Sequence, residues 1–255
     1  VTLLPVFLLI GIILVLLLSI EAGRRTAMRR LAQTGRAAAK VAAPVEGSVY
    51  GLMGLLVAFT FYGAAGRFEA RRSLIVQEAN ALGTAYLRVD LLPPETQPQV
   101  RDDFRLYLRS RLDVYGKIPD REAMKAALAH STTLQERLWA RAVAATRGSS
   151  PSTQTLVLSS LNTAIDITTA RTVALSTHPP TPVFALLGIS VIASSVLAGY
   201  SMAASRIRSG LFETIYSVVL GTALFVTMDY EYPRRGFIRI DPVDTVLEKT
   251  LEQMK

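Results

Sequence analysis

Cysteine is absent from the 255 residues, which excludes disulfide frameworks, thiolate nucleophiles and cysteine-ligated metal sites. Charge is scarce too: 19% of residues are charged, where a water-soluble enzyme carries about a quarter. There are only two histidines, His130 and His178. Neither has an acidic partner at metal-ligand spacing, and no HExxH, GxSxG, GxxxxGK or GxGxxG pattern occurs. No catalytic residue, metal site or cofactor is therefore expected, and the chain reads as a non-enzyme.

What the chain has in their place is long uncharged runs: 2–20, 48–66, 182–204 and 211–228, the last interrupted by Glu213. A run of 19 residues spans about 29 Å as a helix, close to the thickness of a bilayer's hydrocarbon core. The first run has no basic segment ahead of it and no small-x-small site before Glu21, so it reads as a span and not a cleaved leader. Val1 leaves the start of the chain open. The expected architecture is an all-α integral membrane protein with a transmembrane hairpin at 1–66 and a second at 182–228. Between them lies an extramembrane helical bundle at 67–181, and an extramembrane tail follows at 229–255.

The net charge is +8, and its distribution suggests an orientation. Arg24, Arg25, Arg29, Arg30, Arg36 and Lys40 follow the first span, and Arg206 and Arg208 join spans three and four. The positive-inside rule places these loops in the cytoplasm. Both termini and the bundle then face the periplasm or exterior of a bacterial inner membrane. Arg67, Arg71, Arg72, Arg171, Arg234, Arg235 and Arg239 form the opposing set, which the rule discounts where it belongs to a long translocated segment.

Residues 67–181 read as helices throughout. Span two continues through Arg67, Ala70, Leu74, Glu78, Leu82 and Leu87 until Pro93-Pro94 ends it. A helix over about 95–116 places Val100, Phe104, Tyr107, Leu108, Leu112 and Tyr115 on one face. Its other face carries Arg101, Asp102, Arg105, Arg109 and Asp113, with Arg109 and Asp113 spaced to pair. These arginines alternate with acids and lack interleaved aromatics, so nucleic acid is not an expected partner. Asp120 is a candidate N-cap for a third helix bearing Met124, Ala127, Leu128, Leu134, Leu138 and Ala142. Ser150-Pro151 opens a fourth, with Leu158, Leu161, Ile165, Thr168, Thr172 and Leu175 on one face up to His178-Pro179-Pro180.

Span two carries the most information. Gly47, Gly51, Gly54, Ala58 and Ala65 follow one stripe, suited either to close helix packing or to lining a pore. Phe59, Phe61 and Tyr62 are bulky enough to constrict a pore or to anchor the span at the interface. Span three repeats the small-residue pattern with Ser190, Ser194 and Ala198. Glu213 is the one ionisable side chain inside a span and is expected to snorkel toward Arg206 and Arg208. Glu78, Asn80, Asn162, Asp166 and Arg171 either form a buried polar network or face water.

The stretch FYGAAGRFEARRSLIVQEANALGTAYLRVDLLP at 61–93 and the ending MDYEYPRRGFIRIDP at 228–242 resemble the bacterial bestrophin-like membrane proteins. The matching features are Glu78, Ala79 and Asn80 after span two, and Asp229, Pro233 and Gly236 after the last span. The resemblance extends from span one to about Asp241. It implies a pentameric anion channel whose second span lines the pore behind a hydrophobic neck, with a small anion as permeant species. Extending the alignment backward places that neck at Tyr50, Gly54 and Ala58. Glycine and alanine cannot form a narrow apolar ring, so Phe61 joins them as a candidate pore-lining residue. Bestrophins also keep their helical domain in the cytosol, opposite to the charge reading. The competing function is a non-conducting, membrane-anchored protein whose bundle binds a protein partner.

Overall fold

The apolar runs and the capping signals between them become helices in a computed structural model that describes residues 3–34, 43–118, 120–204 and 210–254. In chain order the helices are α1 (Leu4–Thr34), α2 (Ala43–Leu87), α3 (Gln97–Gly116), α4 (Arg121–Ala145), α5 (Pro151–Ser176), α6 (Thr181–Ala204), α7 (Gly210–Glu231) and α8 (Asp241–Gln253). A 3-10 turn, Arg88–Leu91, follows α2. No strand occurs among the described residues. Among the described residues, four stretches are long and apolar enough to cross a membrane: Leu4–Ala32, Val45–Leu91, Pro151–Ala203 and Gly210–Glu231. Arg36, Lys40, Arg206 and Arg208, which carry the orientation argument, lie outside the described residues, and so does any pairing of Glu213 with the latter two.

Two compact units emerge. The first comprises Val1–Arg67 and His178–Tyr232. In it α1 packs along α6 and α7, around a core of Leu16, Met53, Leu187, Val191 and Leu220. Backbone proximity governs the α1–α6 contact. A Cβ on Gly23 would overlap the Val196 carbonyl, and one on Gly199 would overlap the Ile20 carbonyl, so glycine is required on both sides of the crossing. Of the small residues anticipated on span three, Ser194 is buried and hydrogen-bonds with Tyr216 at 3.0 Å. Leu4, Phe7, Leu14 and Leu18 of α1 and Ile189 of α6 remain exposed, as suits helices surrounded by hydrocarbon.

The second unit comprises Phe68–Thr177 and Pro233–Lys255. Its core joins Leu82, Phe104, Tyr107, Leu108, Leu138 and Leu161 with Leu247 of α8. Asp120 caps α4 by accepting from the Glu122 and Ala123 amides at 3.1 and 3.0 Å. Ser150 accepts from the Thr153 amide at 3.2 Å, with Pro151 at the start of α5. Gly148, at φ +86°, makes the preceding turn, a conformation that disfavours other residues. Arg71 ends α5 from outside: its Nε and Nη2 donate to the carbonyls of Ala174 and Thr177 at 3.0 and 2.8 Å, satisfying C-terminal acceptors that have no partner within the helix. On α3, Asp113 pairs with Lys117 at 3.5 Å and not with Arg109, and Arg105 pairs with Asp102 at 2.7 Å. Helix α8 was not anticipated in the tail. Its Val243, Leu247 and Leu251 pack on the core of this unit.

Candidate functional site: the exposed face of helix two and its supports

In the first unit, α2 is the least covered of the apolar helices. Only 6% of its most apolar window is buried, against 28% for α7. Met53 is turned inward and Leu56 and Val57 lean on the core. The stripe that flanks this inward face is largely uncovered: Gly54 and Ala58 are exposed, Tyr50 is half-buried, and a Cβ added at Gly47, Gly51 or Gly54 would meet no other described residue. Gly47, Gly51 and Gly54 therefore make no close helix contact among the described residues. Phe61 is 40% exposed, and one edge of its ring meets Tyr230 of α7, with centroids 5.7 Å apart and planes at 85°.

The end of that stretch is anchored by charge. Arg67 donates from Nε and Nη2 to Glu231 Oε2 at 2.9 and 2.8 Å. The other carboxylate oxygen of Glu231 lies 2.8 Å from His178 Nδ1, and the His178 ring stacks on Tyr232 at 4.9 Å. Glu231 is 1% exposed, so two basic side chains hold one dehydrated carboxylate. Sequence reasoning passed over this cluster because its members come from three distant segments. Of the C-terminal motif, Asp229 is buried near the end of α7. The Pro233 carbonyl accepts from the Ile240 amide at 3.0 Å, closing a loop that contains Gly236.

The second unit contains a buried ionic cluster centred on Glu78 of α2. Arg111 Nε of α3 donates to Glu78 Oε1 at 2.8 Å, and Arg171 Nη1 of α5 donates to Oε2 at 2.5 Å. Thr168 Oγ1 adds a bond at 3.2 Å, and Arg111 also reaches the Tyr115 hydroxyl. From Arg171 the cluster continues to Asp244 of α8 at 2.7 Å. Asp244 then pairs with Arg234 at 2.8 Å, and Arg234 with Asp241 at 2.6 Å. The Arg171 guanidinium lies over the Tyr115 ring, 3.5 Å from its centroid. Arg239 pairs with Asp241 as well, at 2.6 Å, so guanidinium and carboxylate groups alternate along the cluster. Burial alone would raise the Glu78 carboxyl, but Arg111 and Arg171 outweigh it and hold the group below the usual carboxylate range. Burial pushes the Tyr115 and Tyr107 hydroxyls up, keeping them neutral donors.

Of the anticipated polar residues, the structure brings Glu78 and Arg171 together and leaves the others on the surface. Asn162 and Asp166 bond to each other at 2.9 Å on an exposed face of α5, and Asn80 is exposed. Arg111, Tyr115, Arg234 and Asp244 were missed. Arg111 had a signal, since it stands four residues from both Tyr107 and Tyr115 and so shares their inward face. No grouping of acids and histidines suited to a metal occurs among the described residues.

A sequence model described as a Bestrophin-like domain matches residues 10–245. No curated protein matches the chain significantly. Among solved structures, a bacterial bestrophin homologue from Klebsiella pneumoniae carrying a tyrosine-to-alanine mutation has a TM-score of 0.71 at 16% identity, over 96% of this chain and 98% of that one. A second from the same organism, with an isoleucine-to-threonine mutation, has a TM-score of 0.67 at 15% identity, over 97% and 99%. A structure described as a membrane protein with a proline-to-alanine mutation has a TM-score of 0.66 at 15% identity, over 98% of both chains. At these identities the likeness establishes the fold.

Proposed function

Since the chain belongs to the bestrophin-like family, we propose that it is one subunit of a homo-oligomeric, anion-preferring ion channel in which α2 of each copy faces the pore. The observation that carries this reading is the uncovered face of α2: its apolar window is 6% buried and a Cβ at Gly47, Gly51 or Gly54 would meet no other described residue. Tyr50, Gly54, Ala58 and Phe61, at intervals of four, four and three, lie in one sector of the helix. A ring of identical subunits directs such a sector to its axis. Gly54 and Ala58 then form a wide stretch and Phe61 the constriction. By resemblance to bestrophins the proposed ring has five copies, and the net charge of +8 favours anions near the mouth.

Charge asymmetry supports a bacterial inner-membrane protein with both termini and the second unit facing the periplasm. The salt links from Arg67 through Glu231 to His178 hold the end of the conducting stretch against α7. The decisive test is reconstitution of the purified full chain in planar bilayers under a chloride gradient, where the reversal potential should follow the chloride equilibrium potential. Silent bilayers containing assembled protein would favour a non-conducting subunit whose helices bind a protein partner.

A further inference from the structure

The second unit carries a groove of about 380 Å³ between α2 and α5 that the channel reading does not use. A volume of this order lies within the range of small-molecule pockets and exceeds the needs of one bare halide. The first wall is a stripe of Gln77, Asn80 and Thr84 on α2 continued by Arg88 of the 3-10 turn, and the α5 wall presents Ser159 and Thr163. Ala81 and Ile167 supply an apolar floor.

The two walls offer different chemistry. On α5, the Ser159 hydroxyl donates to the Leu156 carbonyl at 3.4 Å and the Thr163 hydroxyl to the Ser159 carbonyl at 2.9 Å, so their lone pairs are what they turn outward. On α2, Asn80 and Thr84 have no side-chain partner among the described residues, and Thr84 departs from the back-bonded pattern of most threonines in these helices. Arg88 spends Nη1 on the Leu156 carbonyl at 2.7 Å, leaving its other N–H groups available. No carboxylate lines the groove. Nearby acids are engaged: Glu78 by Arg111 and Arg171, Asp90 by Arg101, and Asp166 by Asn162.

We propose that this groove binds a small organic anion, with its charged oxygens on Arg88 and its hydroxyl groups between Asn80, Thr84 and the acceptor wall of α5. The inference does not depend on conduction, because its readout is binding. The probes are D-glycerate and glycerol 3-phosphate, which share a hydroxylated three-carbon body and differ in the anionic group, with uncharged glycerol as control. The full chain in detergent micelles should show a saturable rise in Tm with at least one of the two anions, at constant ionic strength, and none with glycerol. The tighter of the two identifies carboxylate or phosphate as the preferred group. Arg88→Gln should weaken binding by about tenfold or more, the loss expected for one charge-assisted contact, and Arg88→Lys should fall between. Asn80→Ala and Thr84→Ala, which break no bond in the free protein, should leave its Tm unchanged while weakening the anion several-fold. No saturable response to either anion, an equal response to glycerol, or unchanged binding in Arg88→Gln and Asn80→Ala would overturn the assignment.

Discussion

Glu78 and Arg171 are separated by 93 residues in the chain, yet the Arg171 guanidinium donates to the Glu78 carboxylate at 2.5 Å, with side-chain exposures of 3% and 0%. Through Arg111 and Asp244 the same pair links α2, α3, α5 and α8. A buried ionic cluster of this kind need not outweigh a hydrophobic replacement in stability, but it fails severely when one member is removed.

Arg171→Ala leaves Glu78 with one guanidinium and Asp244 with another, both still dehydrated. The expected loss is about 3–5 kcal/mol, read as denaturant unfolding of the full chain in detergent. Adding Glu78→Gln to Arg171→Ala should cost less than the sum of the two single changes, because the stranded carboxylate is gone. Strict additivity would contradict the direct pairing.

The depressed Glu78 carboxyl also sets a pH dependence. A group whose pKa is lower in the folded state stabilises fully above its unfolded value, about 4.3 for glutamate, and that contribution disappears as pH falls through the folded value. Unfolding free energy should therefore drop on acidification below about pH 4–5, and more gently in Glu78→Gln. Identical acid profiles in the two proteins would remove Glu78 from the account.

The glycines divide into two groups with opposite expectations. Gly199→Ala places a Cβ against the Ile20 backbone and should destabilise the subunit itself, by about 1–3 kcal/mol or more if the helices cannot separate. At Gly54 an added Cβ meets no other described residue, so Gly54→Leu should leave subunit secondary structure intact and alter the oligomer. Circular dichroism with size-exclusion chromatography and light scattering separates the cases. A Gly54→Leu oligomer indistinguishable from the parent would take that stripe out of the interface and off the axis.

Much of the second unit was legible because its punctuation is local: Asp120, Ser150-Pro151 and Pro93-Pro94 delimit helices by capping and by lost N–H donors. Helix α8 escaped because its N-cap is Ile240, which makes no side-chain cap, although Val243, Leu247 and Leu251 follow a helical interval. Glu78 and Arg171 stood out as polar residues on neighbouring helices. Arg111 was hidden among Arg101, Arg105 and Arg109, which share its composition but face outward or sideways. The glycine stripe of α2 was visible from spacing, whereas the pairing of Gly23 with Gly199 was not, since only the three-dimensional crossing tells which glycines meet a backbone. The Arg67–Glu231–His178 cluster likewise exists only once three distant segments converge.

Orientation has a direct reading. A reporter active only outside the cytoplasm, fused after Lys255, should be active if the basic loops around 24–40 and 206–208 are retained inside. Activity of a cytoplasm-only reporter at the same position would reverse the topology.

The central claim, that α2 faces a conducting axis and Phe61 narrows it, is tested most directly by single-channel recording of the parent chain and Phe61→Ala in chloride. Phe61 is partly exposed and makes one edge-to-face contact with Tyr230, so its loss should cost only about 0.5–1.5 kcal/mol of stability from the ring pair. The predicted result is a chloride-dependent current in the parent and a larger unitary current in Phe61→Ala. Loss of stability with no current in either protein, or a parent current that Phe61→Ala leaves unchanged, would contradict it.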